Sequence, residues 1–88
     1  MNNDMRDRTE KARAVKEAYQ SDLLSKANVV GVGVGFQRKG GQQTKDIGLV
    51  VMVSKKLPEA TLAQRDILPQ QIEGIPIDVQ EVGEIKAF

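Results

Sequence analysis

The sequence predicts a small α+β domain. Three observations carry that expectation: a polar N-terminal run with apolar residues at helical spacing, a switch to strict alternation after Asn28, and the pair Gly40-Gly41 between two alternating segments. The expected architecture is an N-terminal helix, a three-stranded, mainly antiparallel sheet, and a short helix between strands 2 and 3. At 88 residues there is room for a single domain: residues 1–26 form the helix, with a start that can fray, packed with a small sheet domain over 27–88.

From about Asp4 to Lys26, Ala12, Val15, Tyr19 and Leu23 recur at helical spacing, with Ala14, Ala18 and Leu24 flanking them. No Gly or Pro interrupts this run, and Asp4 or Asp7 can cap its start. Beyond Asn28 the period becomes two. Val30, Val32, Val34 and Phe36 share one face of a strand, and Val29, Gly31, Gly33, Gly35 and Gln37 share the other. The next strand, within "DIGLVVMVSKK", is apolar on both faces, as a central strand should be. Gly40 and Gly41 supply the positive φ angles of a hairpin between the two.

Pro58 suits the first turn of a short helix reaching about Arg65, and Pro69 ends it. Leu57, Leu62, Ile67, Leu68 and Ile72 can pack this connection on the sheet. In "IPIDVQEVGEIKAF" the alternation of Ile75, Ile77 and Val79 slips at Val82, which predicts a bulge near Glu81 or Gly83. Pro76 lacks a donor, so this last strand starts at an edge or at a position facing away from the ladder.

Composition excludes several kinds of chemistry. Without Cys or His there is no disulfide, no zinc site of the usual kind, no thiol nucleophile and no imidazole base. Thirteen basic against twelve acidic side chains leave a net charge of +1, too balanced for nucleic acid or a membrane surface as the main ligand. Arg38, Lys39 and Lys45 cluster at the hairpin, and Lys55 and Lys56 lie at the far strand end, where lysines ordinarily discourage edge-to-edge aggregation. The longest apolar run, Ile47 to Val53, is far short of the roughly 20 residues a membrane span needs. The acid-bearing N-terminal run has no apolar stretch of a secretory signal, so the chain reads as cytoplasmic unless it was cut from a longer precursor.

"ANVVGVGVGFQRKGG" poses the central question. A dinucleotide fingerprint needs G-x-G-x-x-G at a strand-to-helix turn; here the spacing is G-x-G-x-G and a hairpin follows. The glycines instead make one side of a strand flat and bare, at a cost of roughly 0.5 to 1 kcal/mol each relative to alanine. Two occupants fit such a surface. The chain's own helix can lie there with Ala14 and Ala18 meeting the glycines, or the surface is reserved for a partner domain or a second copy of the chain.

The stretches "LLSKANVVGVGVGFQRKGGQQTKDIGLVVMVSKKLP" and "LPQQIEGIPIDVQEVGEIKAF" resemble the segment at the N-terminus of a group of bacterial proteins with a trypsin-like peptidase domain. The matching blocks are Asn28 to Gly35, Lys55 to Pro58 and Ile72 to Gly83, within a resemblance spanning Leu23 to Phe88. It implies a module that precedes a catalytic domain without containing it, and a trypsin-like protease domain as a candidate partner. No catalytic residue carries over, because a Ser/His/Asp triad needs a histidine.

The resulting expectation is a non-enzymatic protein-interaction or assembly module with no cofactor and no metal, free to form homo-oligomers. Its partner-binding residues are Gly31, Gly33 and Gly35 for close approach, with Val34 and Phe36 as apolar anchors. The interaction takes the form of burial of the glycine side or of strand addition at an edge. The alternative is a propeptide-like or inhibitory module presenting the C-terminal "VGEIKAF" to a protease. A hydrolase using Ser54 or an acidic group, and a cation site at Asp78, Glu81 and Glu84, are weaker rivals, since residues three apart on a strand point to opposite faces.

Overall fold

The computed structural model describes residues 3–83. One helix, α1 (Asn3–Leu24), packs on a four-stranded mixed sheet of order β1-β2-β4-β3, with β1 Val29–Lys39, β2 Gln42–Val53, β3 Gln71–Ile72 and β4 Ile75–Glu81. The α+β class stands, whereas three strands and an intervening short helix do not. No helix of the described residues is long and apolar enough to cross a membrane.

The helical stripe is the expected one. Ala12, Val15 and Leu23 are buried and Tyr19 packs beside them, while Ala14, Ala18 and Leu24 are exposed. The described helix spans Asn3–Leu24, so Asp4 and Asp7, expected at its start, are positions within it. Its stripe meets Val32 and Val34 of β1, Leu49, Val51 and Val53 of β2, and Ile77 and Val79 of β4. Complete burial of Leu23 or Leu49 stabilises the domain by roughly 1.5 to 3 kcal/mol each.

β1 and β2 form the expected antiparallel hairpin, closed by Gly40 (φ 58°) and Gly41 (φ 80°) between the paired Lys39 and Gln42. Its register is broken twice. Val29 pairs with Val53 and Gly31 with Met52, so Val30 is an extra residue; the bulge turns Val29 into the core and leaves Val30 exposed, the reverse of simple alternation. At the other end Gln37 faces the longer segment Thr44 to Asp46, where the Thr44 hydroxyl donates to the Gln37 carbonyl at 2.8 Å. The bulge expected near Glu81 or Gly83 is absent from β4, which simply ends at Glu81 ahead of Gly83 (φ 73°).

β4 runs parallel to β2, Leu49 beside Ile77 and Val51 beside Val79. A parallel neighbour requires a crossover of about a dozen residues or more, and the chain over 54–70 provides it. The helix expected from Pro58 to about Arg65 is replaced by two separate 3-10 turns, Glu59–Thr61 and Gln64–Asp66, with extended backbone at Ala63 (ψ 148°) between them. So few residues gain little from helix propagation, and their polar groups are held by other partners. The Asp66 carboxylate accepts from the Ala27 amide at 2.9 Å, and the Arg65 carbonyl accepts from the Lys26 ammonium. The fourth strand, β3, is one half of a two-residue hairpin with β4 through Glu73 (φ 50°) and Gly74 (φ 81°).

That hairpin is tied to the helix. The Tyr19 hydroxyl faces the Glu73 carboxylate, and hydrogen bonding to it, then its negative charge, then burial, raise the Tyr19 pKa above its ordinary 10.0. The folded phenol therefore holds its proton more tightly than the unfolded one. The contact's contribution is complete below pH 10.0 and is lost as the pH rises through the higher folded value. Tyr19 is the chain's single tyrosine and there is no tryptophan, so ultraviolet titration reads it alone. The expected midpoint lies above 10.0 in the native protein and returns toward 10.0 in Glu73→Gln. A midpoint indifferent to that substitution would show the tie to be absent.

Candidate interaction site

Side-chain alternation in β1 and β2 divides the sheet into an apolar face and a bare one. α1 takes the first. The second carries Gly31, Gly33 and Gly35 of β1 beside Met52, Val50 and Gly48 of β2, their paired neighbours. The expectation that the chain's own helix lies on the glycines is therefore wrong: β1's valines draw the apolar stripe of α1 to the opposite side.

The three glycines differ in surroundings. Among the described residues, a Cβ at Gly33 would meet no heavy atom within 4 Å beyond its chain neighbours, and one at Gly35 only Val50 Cγ2 at 3.4 Å. At Gly31 the flexible end of Met52 lies over the backbone, with Cε 2.8 Å from the Cβ position. None of the three has a positive φ. Neither backbone conformation nor crowding inside the domain requires glycine at 33, and the bare surface is available to something outside it.

Gly48 is a different case. It is buried, and a Cβ there would collide with the Pro76 carbonyl and would stand 2.7 Å from Gln37 Nε2. Gln37, 4% exposed, crosses this position and donates to the Leu49 carbonyl at 3.2 Å. Glycine at 48 thus makes room for the one buried polar side chain of the described residues. Alternation alone assigned Gln37 to the glycine side; nothing in the sequence marked it as buried.

The five predicted interaction residues are not brought to one face. Val34 packs against the core beneath α1, and Phe36, of the same parity, is 37% exposed near the hairpin. What unites them with the glycines is the edge: β1 is a terminal strand of the sheet, and among the described residues no strand pairs with its outer side. A strand laid along that edge would have Gly31, Gly33 and Gly35 as neighbours on one face and Val32, Val34 and Phe36 on the other. Val30 and Phe36, two of the five exposed large hydrophobic residues, stand toward its two ends.

Among the described residues, the groups named for the rival chemistries are not brought together. The Ser54 hydroxyl faces Asn28 Oδ1 at 3.4 Å, and Asn28 (φ 69°) also accepts from the Ser54 amide at 2.9 Å, so this serine joins two strand ends. Asp78 Oδ2 accepts from the Arg38 amide at 3.2 Å and from Gln80 Nε2 at 3.0 Å, while Glu81 Oε1 accepts from the Lys56 amide at 2.7 Å. Those carboxylates serve different donors, and among the described residues no group of three or more Asp and Glu could hold a metal ion. Of the segment "VGEIKAF" assigned to a protease cleft, Val82 and Gly83 follow the end of β4 with Val82 exposed, and the rest, Glu84 included, lies outside the described residues.

Residues 13–82 match the family described as the NARROW LEAF 1 N-terminal domain. This match corrects the resemblance drawn from the glycine and proline blocks: the family is that one, not the N-terminal module of bacterial trypsin-like peptidase proteins, and the implied protease partner loses its basis. No curated protein matches the chain.

Gly33→Ala is expected to raise the stability of the isolated domain by about 0.5 to 1 kcal/mol, the usual gain on replacing a strand glycine. Gly48→Ala is expected to lower it by about 1 to 3 kcal/mol through overpacking against Pro76 and Gln37. Urea unfolding of the two variants measures both. A destabilised Gly33→Ala would mean that the domain itself needs that glycine.

Proposed function

The chain belongs to the NARROW LEAF 1 N-terminal domain family, and on that premise we propose that it is a non-enzymatic protein-interaction or assembly module that accepts an extended strand along β1. The observation that carries this reading is the position of β1. Eleven residues long, it stands at the end of the sheet with no strand on its outer side among the described residues and glycine at every second position of one side; of its amides, Val29 is bonded to the Lys26 carbonyl and Arg38 to Asp78, at its two ends. Each unpaired N–H and C=O is a hydrogen-bonding group held in strand geometry before any partner arrives. The stretch Val29 to Phe36 carries no charge, proline or lysine of the kind that normally blunts an edge.

Strand addition uses these features together. Main-chain hydrogen bonds supply affinity, and the side chains flanking the edge supply selectivity. Beside the glycines the incoming strand meets no opposing Cβ, so large or branched side chains fit there; on the other face it meets Val32, Val34 and Phe36. The added strand belongs to another protein or to a second copy of the chain.

Gly33→Lys tests the reading, because it puts a flexible cation on the bare side where a Cβ meets no obstacle. Proteins captured by the wild-type domain, identified by mass spectrometry, are expected to be lost with Gly33→Lys and kept with Lys45→Ala. Light scattering over a concentration series separates a foreign partner from a second copy. Retention of the same proteins by Gly33→Lys, or saturable turnover in a broad substrate panel, would contradict the proposal.

A further inference from the structure

A second surface lies away from the bare side of β1. Between the first half of α1 and the hairpin end of the sheet opens a cleft of about 620 Å³. Arg8 and Lys11 line it from the helix, Arg38 and Lys39 from β1, against the carboxylates of Asp46 and Asp78. Arg8 and Lys11 are three residues apart and so share a side of α1. The Lys11 ammonium reaches across the opening to within 3.9 Å of the Cβ position of Gly74, in the β3–β4 turn. Four cations against two carboxylates leave an excess of two positive charges in a concave space, although the whole chain is only +1. Asp78 Oδ2 is already engaged by the Arg38 amide and Gln80. Between the charged groups Ile47, Ile75, Pro76 and Ile77 supply apolar lining beside the amides of Gln37 and Gln70.

We propose that this cleft binds an acidic peptide segment whose carboxylates meet Arg8, Lys11, Arg38 and Lys39 while an apolar side chain between them rests on Ile47, Ile75 and Ile77. Clustered cations in a concavity focus potential and raise the local concentration of an anionic partner. Arginine offers a planar fork that matches a carboxylate. The apolar part of the lining is what separates a peptide from a bare anion: inorganic phosphate would satisfy the cations and leave the isoleucines unused.

Fluorescence anisotropy with a labelled peptide repeating Glu-Glu-Leu tests the assignment on the full chain. Saturable binding is expected at low ionic strength, weakening as salt is added. The double substitution Arg8→Ala/Lys11→Ala should weaken it about tenfold, the loss of two exposed charge contacts. Arg6→Ala/Arg13→Ala removes the same charge from residues that lie with Glu10 in a separate group on α1, and should leave binding within about twofold of wild type. All four side chains are exposed, so both doubles should fold, which circular dichroism verifies. Equal weakening by the two doubles, no saturable binding, equal affinity for a Glu-Glu-Ser repeat, or full displacement by inorganic phosphate would each overturn the proposal.

Discussion

A single helix can cover one face of a sheet and no more. In this domain α1 presents one narrow stripe, Ala12, Val15, Tyr19 and Leu23, and the apolar face made by Val32, Val34, Leu49 and Val51 takes all of it. Everything on the far side of the sheet must then be polar, small or covered by something else. β2 solves the problem internally where Gln37 lies over Gly48. β1 does not, and its alternate glycines expose backbone rather than side chain.

The placement of α1 is over-determined, and so is the identity of the side left bare. At its C-terminal exit, Lys26 and Ala27 bond to the Arg65 carbonyl and the Asp66 carboxylate, fastening the crossover over 54–70 beneath the helix end. Midway, Tyr19 reaches Glu73 in the β3–β4 turn. Each contact is modest alone; together they join helix, crossover and terminal hairpin on one side of the sheet. Rotating the helix toward the glycines would break all of them and strip the valines of cover.

Features that depend on local periodicity were readable in the residues. The helix stripe, the first hairpin and the apolar character of β2 follow from spacing and from Gly40-Gly41, and each is where the pattern puts it. What failed depends on register or on contacts distant in sequence. Val29 and Val30 exchange roles because a bulge inserts one residue, which alternation cannot see. β3 is only two residues long, and its turn uses Glu73 at positive φ, a residue type that does not advertise a left-handed turn. The crossover over 54–70 looked helical from Pro58, yet Asp66 and Arg65 are committed to α1's exit instead. In the candidate site the glycines were legible as a bare surface, but which surface the helix would choose was decided by the summed burial of valines on two strands. The cationic cleft joins residues from α1, β1, β2 and β4, and along the chain only Arg38 and Lys39 stood out, as a basic cluster at the hairpin; their meeting with Arg8 and Lys11 depends on tertiary packing.

The central claim is that β1's outer backbone and glycine side remain uncovered within the protomer. Amide hydrogen exchange resolved by residue, on protein dilute enough to be monomeric, tests it most directly. The account predicts an alternation along Gly31 to Phe36: amides bonded to β2 exchange slowly, and those between them exchange quickly. Uniform slow exchange through the whole strand would mean that the chain already covers its own edge, and the account would be wrong.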